Sequence, residues 1–285
     1  MDSNMKSIFL PFILMLSLTA EAQKWEEGNY MIQALAGVLA NAQVSDYGYT
    51  DGICFMGAWI DESNSCSWTM NLQANTSYQF LGGGDNDAVD LDIIITDSKD
   101  NVVKKDNSAD NSPAITFTPT VTGKYTIKLE LFACASLGSF CAIATMQKNA
   151  NTLPIDNIKI VIQKLREVGE YLLEEKDVNL HFMKEKAQWC VYGAVIDNNR
   201  SSSIDYVRMG YGEHFIVSTG DKNLADVDLY IKTMSDGKTV CSDEDSETLA
   251  AVKCLTEANK NYTLKIQNSK SDGKSLIITS IFDLD

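Results

Sequence analysis

"CFMGAWID", residues 54–61, returns as "CVYGAVID" at residues 190–197, with five of eight positions identical and a spacing of 136. "GDNDAVDLD" (84–92) returns as "GDKNLADVD" (220–228) at the same spacing, so nothing is inserted or lost between the two matches. Farther on, "GKYTIKL" (123–129) lies over "KNYTLKI" (260–266), with Tyr125 over Tyr262 and a spacing of 137. Independent matches at one spacing are the mark of a module written twice along one chain.

Each copy opens on helical periodicity. Ile158, Val161, Ile162, Leu165, Val168 and Leu172 recur at helix spacing in the second copy, and Ile32, Leu35 and Leu39 do so in the first. Strand signals follow. "FMGAWI", "YQFLG", "VDLDIIIT", "AITFTP", "GKYTIKLELF" and "FCAIATM" are short, rich in β-branched and aromatic residues, and separated by Gly, Asn, Asp, Ser or Pro clusters. The pattern predicts a mainly β protein of two tandem antiparallel β-sandwich modules, each preceded by an α-helix that covers an open face or edge. The module boundaries fall at residues 23–150 and 151–285, with "KNANTLP" (148–154) as the link.

The first residues predict an export signal over residues 1–22. Lys6 precedes the apolar run "IFLPFILMLSLTA", and Ala20-Glu21-Ala22 supplies the small-x-small cleavage pattern. That run is shorter than the roughly 20 residues a membrane span needs, so an exported, secreted or periplasmic chain without a membrane span is expected. The full sequence carries 24 Lys and Arg against 39 Asp and Glu, a net charge of −15. Cleavage removes Lys6, Asp2 and Glu21, leaving −14. Such a chain repels nucleic-acid phosphates and anionic membranes, which excludes nucleic acid as a partner.

An exported chain with seven cysteines is expected to hold disulfides. Cys134 and Cys141 flank "ASLGSF" and are expected to pair across a tight hairpin, and Cys241 and Cys254 bracket a second hairpin. Cys54, Cys66 and Cys190 have no assigned partner. No CxxC spacing suggests zinc.

The "GDNDAVDLD" segment crowds aspartates against an apolar strand. Asp85, Asp87, Asp90 and Asp92 recur as Asp221, Asn223, Asp226 and Asp228. Carboxylates this close repel one another unless compensated. Two readings stand side by side: calcium held by Asp85, Asp87, Asp90, Asp92, Asp221, Asp226 and Asp228 with loop carbonyls, or an Asp-rich turn with a solvated strand face. The EF-hand spacing is absent. No catalytic residue is assigned, because His181 and His214 lie in no GxSxG or HExxH context. Trp59, Trp68, Trp189, Tyr192 and Tyr230 offer a sugar-binding platform or, alternatively, sandwich packing. Trp59 shares its repeat position with Val195 and Trp68 with Ile204, which favours packing for both, whereas Tyr230 falls on the outward face.

The strings "DAVDLDIII" (87–95), "KDNVVKKD" (99–106) and "ITFTPTVTGKYTIKLELFAC" (115–134) resemble the bacterial pre-peptidase C-terminal domain, with its Asp-x-Asp-Leu strand and later Gly-x-Tyr-Thr strand. "ADVDLYI", "SDGKTV" and "NYTLKI" resemble it more loosely, so the similarity covers residues 76–146 and 212–282. The resemblance implies a jelly-roll-like accessory module without catalytic activity, some relatives of which bind calcium or extracellular polymers. Such domains usually accompany secreted enzymes, whereas here two modules and a signal segment account for the sequence. The expected role is therefore a free-standing, noncatalytic binding protein for an extracellular polymer or an envelope protein, with calcium as its only candidate cofactor. The alternatives are a structural or inhibitory partner of a secreted protease and, last, a hydrolase.

Overall fold

The computed structural model describes residues 25–176 and 180–284; the export signal over residues 1–22 lies outside the described residues. The first half runs α1 (Glu26–Gln43), β1 (Tyr47–Tyr49), β2 (Gly52–Asp61), β3 (Asn64–Leu72), β4 (Tyr78–Gly84), β5 (Ala88–Thr96), β6 (Val102–Lys105), β7 (Ala114–Phe117), β8 (Gly123–Cys134) and β9 (Gly138–Lys148). The second runs α2 (Ile155–Lys176), β10 (Leu180–Phe182), β11 (Val191–Ile196), β12 (Arg200–Val207), β13 (Gly212–Gly220), β14 (Leu224–Thr233), β15 (Thr239–Asp243), β16 (Leu249–Thr256), β17 (Tyr262–Ser271) and β18 (Ser275–Leu284). Element by element the order repeats. The protein is mainly β, built as two tandem antiparallel sandwiches, each preceded by a helix.

In each half one sheet is four-stranded, β3-β8-β5-β6 in the first and β12-β17-β14-β15 in the second. The opposing sheets are fused into one of ten strands, ordered β16-β13-β18-β11-β2-β9-β4-β7, with β1 added on β9 and β10 on β18. Period-two alternation sets the layers. At Gly82 a Cβ would touch Leu129 of β8, whereas at neighbouring Gly83 it would touch Val38 of α1. The ten-stranded sheet is thus covered by helix on one face and by the four-stranded sheets on the other.

The fusion of the two halves is not visible in the strand signals. It occurs where β2 pairs antiparallel with β11, in the register Val191↔Gly57, Tyr192↔Met56, Gly193↔Phe55. Met56 and Tyr192 are equivalent repeat positions 136 residues apart, and their neighbours exchange partners about them, so a pseudo-twofold axis passes through this pair. The contact is isologous, as between the subunits of a symmetric dimer. Cysteine thiols follow the same symmetry: Cys54 Sγ donates to Gly193 O at 3.7 Å and Cys190 Sγ to Gly57 O at 3.5 Å. Gly193 permits the close approach, since a Cβ there would lie 1.9 Å from the Phe55 ring.

Further ties cross between the halves. Trp25, ahead of α1, is buried against Phe182 and Phe282 at 5.1 and 5.7 Å, and lies over Gly169 of α2. Glu27 of α1 accepts from the Phe182 main-chain N–H at 3.0 Å and from Lys184 Nζ at 2.5 Å. Lys274 Nζ donates to Asp51 and Asn151 at 2.6 and 2.7 Å. The buried apolar residues of both halves form one continuous cluster.

Two expectations about cysteines need correction. Cys134 and Cys141 are not bonded. Residues 135–137 do not close a hairpin; they carry the chain from one sheet to the opposing one. Cys134 ends β8 beside Ala88 of β5, whereas Cys141 sits in β9 between Ala58 and Gly84. The Cys241–Cys254 disulfide is present, with a Cα–Cα distance of 5.9 Å. Its strands are again in different sheets, so it staples the edge strand β15 to the opposing edge strand β16 rather than bridging a hairpin.

Candidate functional site

The ten-stranded sheet is continuous across the pseudo-twofold axis, but the four-stranded sheets are not. They end at β3 and β12, each paired on one side only, with β8 and β17. Between these two open edges, above the β2–β11 junction, lies a cleft of about 940 Å³, within the range usual for ligand-binding pockets. Its walls are uninterrupted runs, residues 67–71 of β3 on one side and 202–208 on the other. Consecutive residues on a wall mean that the strand edge itself, main chain included, faces the space. The two runs are the same repeat position 136 residues apart.

Aromatic residues lie on the floor, at one end and on both walls, where Trp68 and the exposed Tyr206 stand. Trp68 is half-buried and meets the buried Trp189 edge-on, with centroids 5.7 Å apart and planes at 83°. Trp189 Nε1 donates to Ser67 O at 3.1 Å, and the Tyr192 hydroxyl donates to Trp189 O at 2.8 Å. Tyr192 is fully buried, and this burial raises its hydroxyl pKa well above the ordinary value. Ile53 N–H donates to Ser202 Oγ at 3.2 Å, binding the floor to the second wall. Gln188 Oε1 accepts from Arg208 N–H at 2.9 Å, and the Arg208 guanidinium donates to Lys186 O at 3.3 Å. The charged residues on the lining are Asp51, Lys124, Asp205 and Arg208, two of each sign. The lining presents main-chain and hydroxyl groups, with Trp68 and Ile204 as apolar side chains at equivalent positions.

Three of the five aromatics singled out in the sequence, Trp68, Trp189 and Tyr192, are gathered at the cleft. The other two are elsewhere. Trp59 packs edge-on against Phe140 at 5.2 Å, donates from Nε1 to Asp61 at 2.9 Å, and lies under Lys184. Tyr230 is half-buried on the outer face of β14, with Lys265 over its ring at 4.7 Å and its hydroxyl pushed up to about 12 by burial and the Asp228 charge. Neither histidine lines the cleft. His181 and His214 lie on β10 and β13, both opposite Asp283 of β18. His214 is buried with Nδ1 2.7 Å from Asp283 Oδ1, and His181 faces Glu27 at 3.2 Å.

The seven aspartates divide into two sets with different work. Asp85 is buried and accepts from Asp87 N–H, Phe140 N–H and the Ser139 hydroxyl. Asp221 does the same through Asn223 N–H, Leu276 N–H and the Ser275 hydroxyl, and adds the Asn157 amide of α2. These carboxylates lock the turn between two strands to the start of β9 or β18. Asp87 supplies a main-chain carbonyl to Ala135 N–H at 2.8 Å. Asp90 and Asp92, like Asp226 and Asp228, lie in the four-stranded sheets. Asp92 pairs with Lys105 at 3.0 Å, and Asp228 accepts from Gln267 Nε2 at 3.1 Å and from Ser269. Burial and the adjacent carboxylate hold the Asp90 and Asp226 carboxyls above their ordinary value. Among the described residues, no three His, Cys, Asp or Glu side chains are grouped so as to hold a metal ion.

Sequence reasoning missed the cleft walls. Their signal is present in "NSCSWTMNL", where apolar and polar residues alternate, but not in the equivalent "RSSSIDYV", which opens on four polar residues. An open edge, however, is a property of strand neighbours, which alternation does not encode.

No family model matches the chain, and no curated protein matches it. Solved structures with similarity include the periplasmic inhibitor of g-type lysozyme PliG from Aeromonas hydrophila, at 11% identity over 34% of this chain and 87% of that one, with a TM-score of 0.28. The PBSX exported protein XepA is 12% identical over 80% of this chain and 85% of that one, with a TM-score of 0.25. The M60 catalytic domain with two CBM51 domains of Clostridium perfringens ZmpB is 8% identical over 77% of this chain and 33% of that one, with a TM-score of 0.24. All three scores fall below 0.5, too low to carry function from those proteins to this chain. No helix among the described residues is long and apolar enough to cross a membrane.

Proposed function

We propose that this chain is an exported, noncatalytic binding protein and that the cleft on its pseudo-twofold axis is the binding surface, taking an extracellular polymer or an envelope protein. One observation carries this reading: both halves contribute equivalent edges to one cleft, whose floor is the strand pair that joins them. The wall residues otherwise lack a reason to stay open. The resemblance to accessory domains of secreted enzymes supports a noncatalytic role. The test is a glycan array and a protein-partner capture with the mature chain, residues 23–285, beside Trp68→Ala. Binding that Trp68→Ala weakens at least about tenfold, the effect of losing one well-placed contact, supports the cleft; binding untouched by Trp68→Ala places the ligand elsewhere.

A further inference from the structure

We infer that the occupant of the cleft is an extended polypeptide segment of a basic partner protein, bound by strand addition to the open edge of β3, with β12 as the facing wall. The inference rests on the cleft being the binding surface, and it names the class of ligand.

The first argument concerns unpaired main chain. In an antiparallel pair, alternate residues turn their N–H and C=O away from the partner strand. The Ser67 carbonyl accepts the Trp189 indole N–H, which places Ser67 among the residues of β3 that face away from β8. Thr69 and Asn71, two and four residues on, therefore direct their own N–H and C=O into the cleft. On β12, Ser203 is the equivalent of Ser67, and Ser202↔Ile266 matches Cys66↔Leu129 in register, but the register shifts between Ile204 and Val207, so the alternation ends there. An extended peptide satisfies such groups with its own alternate residues.

The second argument is what the edge of β3 lacks. Exposed edges of this length normally carry proline, bulges or inward charges that deter pairing. β3 has nine residues, none charged and none proline, and runs in unbroken register with β8, whereas β12 carries Asp205 and a register shift between Ile204 and Val207 with Tyr206 at a φ of 64°. Behind them the ten-stranded sheet is closed by β2–β11. A strand laid along β3 extends the first front sheet over that junction toward β12.

Sugar recognition fits less well, because it needs a flat aromatic face in contact with solvent. Such a face would come from Tyr206 alone, 68% exposed at the β12 register shift, because Trp189, Tyr192 and Tyr78 are buried and Trp68 is engaged edge-on by Trp189. Charge sets the partner's sign. The lining is balanced, but the whole chain carries −15, which attracts a basic protein and repels an acidic one.

The test uses the mature chain and a displayed library of random peptides of about 12 residues, long enough to span the edge of β3. The tightest binder is synthesised and then N-methylated at one position at a time, with affinity read from Trp fluorescence. Strand addition predicts losses of about tenfold at alternate positions and none between them, one main-chain hydrogen bond being removed each time. Thr69→Pro, which removes one outward N–H from an edge strand, reproduces the loss, whereas Thr69→Ala binds as the parent does. A flat N-methylation profile overturns the inference. So does glycan-array binding that Trp68→Ala abolishes when no peptide is selected, an outcome that leaves the cleft as the binding surface. Concentration-dependent self-association blocked by Thr69→Pro also overturns it, assigning the edges to a second copy. If neither peptide nor glycan is retained, both the inference and the binding reading fall.

Discussion

At the scale of single residues, the buried aspartates Asp85 and Asp221 fix the turns that join the two sheets of each half. Asp221 gathers two main-chain N–H groups, a hydroxyl and the Asn157 amide on one carboxylate. Asp221→Ala leaves these donors buried without an acceptor, at about 2–4 kcal/mol of unfolding free energy; urea denaturation measures it, and a change under 1 kcal/mol contradicts the assigned role. Asp90 and Asp226 act in the opposite direction. Burial first, and then the adjacent Asp92 or Asp228, lifts each carboxyl above 3.8. A carboxyl whose folded pKa exceeds its unfolded one stabilises fully below the unfolded value, and that contribution is lost as pH rises through the folded value. Asp90→Asn and Asp226→Asn should therefore raise the thermal midpoint at pH 7 and lose that advantage below 3.8, which a midpoint-against-pH series records. Calcium is testable at the same residues. Since Lys105, Gln267 and Ser269 already compensate Asp92 and Asp228, chelator and millimolar calcium should give equal midpoints; a rise with calcium, following RT ln(1 + [L]/Kd), would place a cation there.

Elements show where side-chain patterns carry information and where they stop. Amphipathic period placed both helices, and the 136-residue spacing placed equivalent strands, because burial of one face dictates residue type at each step. Which strands become neighbours is decided by sheet closure instead. The expected Cys134–Cys141 pair failed for that reason, since "ASLGSF" joins opposing sheets although its length suits a hairpin. Cys241–Cys254 was legible as a pair but not as an inter-sheet staple. Its loop of 13 residues corresponds to roughly 3 kcal/mol of chain-entropy stabilisation. Cys254→Ser should lower stability by about 2–3 kcal/mol and remove any response to reductant, whereas Cys134→Ser should leave both unchanged; mass spectrometry of the non-reduced digest identifies the linked peptides directly. Cys54 and Cys66 are sealed in, their thiols pushed up to about 12 by burial, so at neutral pH they stay protonated and unreactive. The cleft escaped notice because its walls offer main-chain groups, and every residue type has those.

For the molecule as a whole, the question is whether two copies of a module behave as two domains. Tandem domains joined by a linker normally unfold separately, because few contacts cross between them. Here the contacts that cross are of the kind that make a core. β2 pairs with β11 along the middle of a ten-stranded sheet, Trp25 is buried among Gly169, Phe182 and Phe282, and Glu27 ties α1 to the Phe182 main chain. Neither half can expose its share of this junction without uncovering a strand edge and an apolar surface at once. The full chain should therefore show a single calorimetric transition whose van't Hoff and calorimetric enthalpies agree. Gly193→Ala, which forces a methyl against the Phe55 ring, should lower that one midpoint through about 1–3 kcal/mol of overpacking, and Trp25→Ala should lower it through about 3–5 kcal/mol of lost burial. Both variants should shift the transition intact. Were either to split it into two, the halves would be separate folding units resting against one another. The cleft would then be a gap of variable width, and the fixed spacing of its edges, on which strand addition depends, would be gone.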